Sequence, residues 1–536
     1  MRQLSGNDAR FLYSESARAN SNITKIQIYD QSTAPGGKLR FKTILAHIEA
    51  RLSHSPVFRR KLHQVPLKLD YPYWVEDEEF DLEYHVRHIA LPKPGDWRQF
   101  CIQVSRIHAR ALDLSRPLWE IYVIEGLDGF LDLPRGSFAL LTKVHHAAID
   151  IEAGREMAAG VSAGIMAVLH DTTPTPSAPA PPEPWFPEAP PGRIAMIARG
   201  VASLATSPFR LARPLSRLLA EIAPSAFSFA GDILLRPEMI AATRFNSIVS
   251  AHRVFETRRF MLEEFKAIRA LVEGATVNDA VLAVCGGALR RYLQGEHELP
   301  EASLTAIAPF YIRAAGDDGE NAQQRKPVLS WVRVRLGTEI EEPVERLAAI
   351  RAQTAGSEIV AQALRARELT AIGRHTPAAT LALASKMLSR AAQGIGRRAP
   401  MANCTITNVP GPLQPLYLCG ARMTYFSAIM PIADGMGLVF AVTSYDDRIV
   451  ISPTSCRELM PDPAHFAQCI RDSFQEYLAL ARKLPSPARR VANVRPARPP
   501  ASSTGTKAPM RPWPRKAATA PPVAPGARRR SPARPH

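Results

Sequence analysis

Two adjacent histidines, followed four residues later by an aspartate, are the side chains of this chain whose types and spacing best suit chemistry. They are His145, His146 and Asp150, within the stretch FALLTKVHHAAIDI at residues 138–151. An imidazole with an ordinary pKa of about 6.5 can take up and return a proton at neutral pH. A carboxylate such as that of Asp150 can hold the surrounding loop in position. The pattern therefore indicates a candidate general base with an orienting acid.

The apolar run before the histidines predicts how their side chains are arranged. Residues 138–144 follow Gly136 and contain aromatic and β-branched members, so they predict a strand. Neighbouring side chains on a strand point to opposite faces, so one histidine should face a cavity while the other packs or hydrogen-bonds on the far side. The same alternation argues against a metal site built from both histidines, and no HExxH pattern offers a helical alternative.

Two other interpretations of the chemistry-bearing motifs compete with this one. The doublet can be a buried, hydrogen-bonded histidine beside a helix cap, because chance alone produces adjacent histidines at this composition. Residues 160–164 (GVSAG) match the GxSxG pattern of hydrolase nucleophiles. That pattern needs a strand before the serine, whereas the preceding EAGREMAA favours a helix. No Walker A sequence is present and no GxGxxG follows a strand, so nucleotide chemistry is not indicated.

Further patterns predict the elements that position these residues. The segment 117–127 predicts a buried strand that ends at Gly126, and residues 40–62 have helical spacing. Residues 276–293 predict a helix capped by Thr276, and residues 437–452 predict a β-hairpin that turns at Asp446–Asp447. Strands and helices are mixed in both halves, which predicts an α/β (α+β) fold.

Cysteine usage and hydropathy bound the class of protein. The six cysteines are widely spaced and form no CxxC pair, so neither a zinc ribbon nor a disulfide framework is predicted. A reducing cytosol is the expected environment. The N-terminus shows no apolar signal region, and no apolar run approaches the roughly 18 residues that span a bilayer.

Composition also divides the chain. Residues 174–191 contain nine prolines and predict an extended linker. Residues 485–536 contain 12 Lys/Arg, 13 prolines and no Asp/Glu, and this composition predicts a basic disordered tail. Of the net charge of +17, residues 1–484 therefore carry only +5. The predicted organisation is a domain with the histidine motif (1–170), a proline-rich linker and basic amphipathic crossover (171–250), a second domain (251–484) and the tail (485–536).

Two basic segments are candidates for contact with a membrane or with nucleic acid. The amphipathic stretch at 194–240 is compatible with lying on a membrane and with packing on the body. The tail can touch anionic lipid or simply improve solubility. It lacks interleaved stacking aromatics, so specific nucleic-acid recognition is not predicted.

Seven segments between about residue 40 and residue 482 share an order and spacing with one known family. They are 72–97 (PYWVEDEEFDLEYHVRHIALPKPGDW), 116–129 (RPLWEIYVIEGLDG), 143–150 (KVHHAAID), 276–293 (TVNDAVLAVCGGALRRYL), 341–354 (EEPVERLAAIRAQT), 408–422 (NVPGPLQPLYLCGAR) and 444–462 (SYDDRIVISPTSCRELMPD). Together they resemble the bacterial wax ester synthase/acyl-CoA:diacylglycerol acyltransferase family.

The resemblance implies two chloramphenicol-acetyltransferase-like domains with the active site in a tunnel between them. Acyl-CoA would reach the site from one side as a substrate, and diacylglycerol or a fatty alcohol from the other, with no metal or redox cofactor. It implies that His146 is the general base, with His145 and Asp150 orienting the motif and Asn278 and Asp279 supporting the site. The expected location is cytoplasmic, peripherally attached to the inner membrane or to lipid droplets.

Departures from the family pattern keep one alternative open, and the His-His motif that is shared with the condensation domains of peptide-assembly enzymes keeps a second one open. Ile151 replaces the glycine of the family's HHxxxDG motif, and Glu320 separates Gly319 from Asn321. If that glycine holds a backbone conformation closed to other residues, isoleucine would strain the turn and lower activity. The alternatives are an impaired paralogue that binds lipid or a membrane surface without catalysis, and a carrier-protein-dependent condensation-type acyltransferase. The chain shows no attached carrier module.

Overall fold

The strand expected before the histidine pair is present and spans Phe138–His145. All eight of its residues are buried, as expected for a central strand whose two faces are both covered. The strand Trp119–Glu125 pairs with it and ends where Gly126 adopts a φ of +84°. Both sequence predictions for this region are confirmed.

A computed structural model describes residues 2–66, 69–130, 133–151, 169–175, 187, 192, 194–202, 240–312, 328–356, 382, 400–412 and 414–483. The strands are β1 (Arg2–Gln3), β2 (Asn22–Asp30), β3 (Arg60–His63), β4 (Tyr73–Glu76), β5 (Val86–Ala90), β6 (Trp119–Glu125), β7 (Phe138–His145), β8 (Arg253–Phe255), β9 (Arg258–Met261), β10 (Thr305–Ile312), β11 (Val328–Arg335), β12 (Cys404–Pro410), β13 (Tyr417–Leu418), β14 (Ala421–Ile429), β15 (Val439–Tyr445) and β16 (Arg448–Cys456). The helices are α1 (Gly6–Tyr13), α2 (Phe41–Glu49), α3 (Leu82–His85), α4 (Trp97–Ala109), α5 (Leu262–Arg269), α6 (Val277–Gly295), α7 (Pro343–Ala355) and α8 (Pro463–Lys483), and residues 194–202 are also helical.

The histidine strand is near the middle of a six-stranded sheet. The strand order is β13-β14-β2-β7-β6-β5, and β7 runs antiparallel to both of its neighbours. The strand β14 comes from the second half of the chain and pairs with β2 of the first half. The two halves are therefore joined by a shared sheet, although the sequence divides them near residue 250.

The second half contributes a seven-stranded sheet of its own. Its order is β11-β10-β12-β15-β16-β8, with β9 also paired to β16. The helix α6 begins after Thr276, whose side chain caps it, and packs against α5, α7 and α8. The hairpin of β15 and β16 turns at Asp446 and Asp447, which both have positive φ. The predicted helix, its cap and the hairpin are confirmed.

One prediction from helical spacing is wrong over much of its length. The helix expected over 40–62 ends at Glu49, and short 3-10 turns then lead into β3. Pro56 prevents a helix from continuing through Ser55, because a proline pushes the preceding residue out of the helical region. Ser55 is accordingly extended, and its hydroxyl accepts a hydrogen bond from the Val57 backbone N–H.

Several predicted segments lie outside the described residues. They include most of the linker, the tail at 485–536, the GxSxG match at 160–164 and Glu320. The six cysteines are all free and buried. Among the helices that the structure describes, none is long and apolar enough to cross a bilayer, and the described side chains form no cluster suited to a metal ion. Mixed sheets and helices confirm the expected α/β fold class.

Candidate active site

The histidine pair lies at the carboxyl end of β7, where the chain leaves the sheet. His145 is the last strand residue, and His146 begins a 3-10 helix that spans His146–Ile151. The backbone N–H of His145 donates to Leu118 O at 3.0 Å, and that of His146 donates to Ser21 O at 2.8 Å. The residues just before β6 and β2 therefore fix the backbone of both histidines.

His145 is a buried residue with both ring nitrogens engaged. The Ala147 backbone N–H donates to Nδ1 at 3.0 Å, so the ring proton is on Nε2, which donates to Glu15 Oε1 at 3.0 Å. The same carboxylate oxygen accepts the Ser21 backbone N–H at 2.7 Å. Only 1% of His145 is exposed. It is therefore placed to organise the turn, and has no free nitrogen to offer a substrate.

The ring of His146 has different surroundings. It stacks on Phe11 with 3.6 Å between ring centroids and an interplanar angle of 19°. Its Nδ1 is buried and has no hydrogen-bond partner of ordinary geometry in the described part of the chain. The residue as a whole keeps some exposed surface. Since Nδ1 is buried, a hydroxyl that approached this ring would have to use Nε2.

Burial first, and then the charges of Arg10 and of the neighbouring His145, together lower the pKa of His146 to about 3. A weak interaction with its own backbone oxygen acts in the opposite direction. The Arg10 guanidinium carbon lies 4.8 Å from the centre of the Phe11 ring that covers the imidazole. The imidazole is therefore neutral throughout the physiological range, which is the protonation state that a base requires.

The other predicted site residues have separate positions. Asp279 caps α6: its carboxylate accepts the Thr276 N–H and hydroxyl, both at 2.8 Å, and the Thr354 hydroxyl at 2.8 Å. Asn278 is half-buried in the first turn of the same helix. Across the described residues, no hydrogen bond joins Asn278 or Asp279 to either histidine. The side chain of Asp150 lies outside the described part.

Two residues that hold the site were missed from the sequence. Phe11 and Glu15 come from α1 and the turn after it, some 130 residues before the histidines. The pattern Ser5-Gly-Asn-Asp8 ahead of an apolar run is a helix-start signal, and the Ser5 side chain does accept the Asp8 N–H. That signal would have located the helix, but no local pattern would have shown which residues it contacts.

The fold is that of two-domain acyltransferases. The structure matches the wax ester synthase/diacylglycerol acyltransferase from Marinobacter aquaeolei VT8 with a TM-score of 0.61 and 26% identity, covering 90% of this chain and 100% of that one. It shares its fold with the trichothecene 15-O-acetyltransferase from Fusarium sporotrichioides, with a TM-score of 0.51 and 13% identity over 90% of this chain and 95% of that one.

Sequence comparison narrows the class to one family. Residues 4–281 match the wax ester synthase/diacylglycerol acyltransferase catalytic domain, and residues 328–477 match the WS/DGAT C-terminal domain. The O-acyltransferase WSD of Acinetobacter baylyi is 30% identical over 81% of this chain and 88% of its own. A Mycobacterium tuberculosis H37Rv protein named as a diacylglycerol O-acyltransferase is 32% identical over 86% and 94%. The chain belongs to the wax ester synthase/diacylglycerol acyltransferase family, as its sequence segments indicated.

The different surroundings of the two histidines predict different effects on stability. His145→Ala should lower the free energy of unfolding by about 2–4 kcal/mol, because it opens a cavity and leaves buried polar partners unsatisfied. His146→Ala should change it by no more than about 1 kcal/mol, because the lost ring contact is offset by removing an unpaired buried nitrogen. Urea unfolding of the two variants measures both values. Equal losses would contradict this division between the histidines.

Proposed function

We propose that this acyltransferase moves a long-chain acyl group from acyl-CoA to the hydroxyl of diacylglycerol, a fatty alcohol or both, forming triacylglycerol or wax ester. The observation that carries the proposal is the neutral ring of His146, whose buried Nδ1 has no hydrogen-bond partner in the described part of the chain, beside a fully hydrogen-bonded His145. The names of the relatives, diacylglycerol acyltransferase and wax ester synthase, indicate the substrate classes. Acyl-CoA is a substrate, and no cofactor enters the proposed reaction.

In the proposed reaction His146 accepts one proton from the acceptor hydroxyl and later donates it to the leaving group. Its Nε2 accepts the proton of the acceptor hydroxyl as the oxygen attacks the thioester carbonyl, which forms a tetrahedral intermediate. The intermediate collapses, its carbon–sulfur bond breaks, and the imidazolium returns the proton to the CoA thiolate. A low pKa of the imidazolium favours this return, because the ordinary pKa of a thiol is about 8.5. Free enzyme is regenerated with the proton balance closed.

Supporting roles are proposed for the remaining motif residues. Asp150 orients the turn that follows His146. Asn278 and Asp279 shape the wall contributed by the second domain, and Asp279 does so by fixing the start of α6 through its hydrogen bonds to Thr276. The site is proposed to lie in a tunnel between the two domains, which the pairing of β14 from the second half with β2 of the first half supports.

Thiol release from palmitoyl-CoA tests the function directly. Purified protein should release CoA faster with diacylglycerol or hexadecanol than without an acceptor, and the relative rates rank the alcohols. In His146→Ala the acceptor-dependent rate should fall by about 10²–10⁴-fold, the usual contribution of a general base. Turnover retained in the variant would refute His146 as the base. If the wild type shows no turnover and the Ile151→Gly variant does, the protein is the impaired paralogue. If turnover occurs only with an acyl group bound to a carrier protein, the protein is the condensation-type enzyme.

The depressed pKa of His146 predicts the pH dependence of kcat/KM. Since the imidazole stays neutral well below its ordinary pKa, the wild type should show no fall in kcat/KM between about pH 8 and pH 5 from protonation of its base. Arg10→Gln removes a positive charge that lowers this pKa, so the acid limb should move to higher pH. Arg10→Lys keeps the charge and serves as the control. An acid limb near pH 6.5 that is identical in all three proteins would contradict the assignment.

We also propose that the protein attaches peripherally to the inner membrane or to lipid droplets, on their cytoplasmic side. The helical residues 194–202 bury Met196 against the small core near β4 and expose Ile194, Ile197 and Val201 at fractions of 84%, 37% and 54%. These three share one helix face, which suits insertion into a lipid surface. The net positive charge favours anionic lipid.

Flotation with anionic liposomes tests this attachment. Replacing Ile194, Ile197 and Val201 together by serine should reduce liposome binding by at least about tenfold, since each apolar side chain contributes on the order of 1 kcal/mol or more when buried in lipid. Ile102→Ser is the matched control, because Ile102 is an exposed isoleucine of α4, 40% accessible. Unchanged flotation of the triple variant would rule this face out as the attachment site.

A further inference from the structure

The two histidines depend on one short stretch of chain, residues 15–21, between α1 and β2. At its start, Glu15 holds the ring of His145. At its end, the Ser21 carbonyl holds the backbone of His146. The Ser21 hydroxyl also donates to Phe11 O at 2.9 Å, which ties this stretch to the residue stacked on His146. The placement of the proposed base therefore follows the placement of the 15–21 segment.

The second half of the chain holds the middle of the same segment. The Arg253 guanidinium donates to the Arg18 carbonyl at 2.6 Å, and the Arg18 side chain reaches Asp434 at 3.5 Å. Ala19 packs against the core of the second half. Asp434 is itself fixed, since its Oδ1 accepts the Val249 N–H at 2.9 Å. The 15–21 segment is thus held from both halves at once.

Arg253 is the strongest of these links. It is only 6% exposed, and it belongs to β8, where it stands opposite Cys456 of β16 in the second sheet. A second bond goes to the Ser250 carbonyl. Burying a guanidinium is costly unless its N–H groups are satisfied, and bonds from a charged donor are stronger than neutral ones. Its Nε is already buried without a hydrogen-bond partner in the described part of the chain, so movement of the Arg18 carbonyl would leave a further N–H of the buried charge unsatisfied.

From these contacts we infer that Arg253 is a positioning residue for acyl transfer: by holding the Arg18 carbonyl it fixes the 15–21 segment, and through Glu15 and Ser21 it sets the position of His146. The inference rests on the proposed role of His146 as the base. Arg253 touches neither histidine in the described structure, so its contribution is to geometry. Misplacing a reacting group by about 1 Å can cost about 10²-fold in rate, so a remote contact of this kind has a measurable effect.

The substitution Arg253→Met removes the charge and the donors and keeps much of the side-chain volume. The acceptor-dependent kcat should fall by about 10–100-fold, because the proposed base is misplaced relative to the bound substrate. The KM for palmitoyl-CoA should change by less than about 3-fold, because substrate binding is not altered. Arg253→Lys retains one donor for the Arg18 carbonyl and should recover most of the loss. If Arg253→Met does not fold, Arg253→Lys carries the test with a smaller loss of kcat.

A second buried arginine provides the matched control. Arg346 is 2% exposed, and its guanidinium donates to Ile340 O at 2.8 Å and Glu341 O at 3.0 Å, so these partners lie within the second half. Arg346→Met should destabilise the protein, yet leave the kcat of the folded fraction unchanged. Equal kcat losses in Arg253→Met and Arg346→Met, or a wild-type kcat in folded Arg253→Met, would overturn the inference.

Coupling and exchange measurements separate this inference from the proposed function. The kcat losses of Arg253→Met and Glu15→Gln should be less than multiplicative in the double variant, because both act through one segment. Hydrogen exchange at the amides of Ala19, Ser21 and His146 should be faster in Arg253→Met than in Arg346→Met. If the wild type lacks turnover, the proposed function fails while the exchange result still decides whether Arg253 holds the segment. Unaltered exchange would refute it.

Discussion

The geometry of the candidate active site depends on the carboxylate of Glu15. Glu15 Oε1 accepts the backbone N–H of Ser21 and the Nε2–H of His145, so it joins the segment before β2 to the end of β7. These two bonds set the tautomer of His145 and leave its Nδ1 to accept the Ala147 N–H at the first turn after the strand. Both nitrogens of His145 are thereby used, which leaves the neighbouring ring as the one available for chemistry.

The same arrangement explains the properties of His146. Its backbone is held by Ser21, whose N–H Glu15 accepts, and its ring is stacked on Phe11 of α1, whose carbonyl accepts the Ser21 hydroxyl. The stacked Phe11 ring orients the imidazole, and burial keeps it neutral. A neutral imidazole has a nitrogen lone pair that can accept a proton, which is the protonation state that the proposed role of His146 as base requires. Position and protonation state thus have a common structural cause.

The sequence predicted those helices, strands and turns that are determined by the pattern of neighbouring residues. A continuous apolar run with aromatic and β-branched members predicted β7, a threonine cap and helical spacing predicted α6, and turn residues predicted the hairpin of β15 and β16. The excess helix predicted after Glu49 ignored the restriction that Pro56 places on Ser55. Two contacts were beyond local pattern: β14 beside β2, and Glu15 beside His145, both of which join residues far apart in the chain. The choice of His146 over His145 came from the family resemblance, and the geometry supplies a physical reason for it.

Chemical rescue tests the central claim, that His146 is the base and His145 its structural partner, most directly. Acceptor-dependent thiol release would be measured for His146→Ala and for His145→Ala with increasing free imidazole. The account predicts that imidazole restores release in His146→Ala, because it replaces the missing proton acceptor in an otherwise intact site, and has no such effect in His145→Ala. Turnover of His146→Ala at the wild-type rate without imidazole, or equal rescue of both variants, would contradict it.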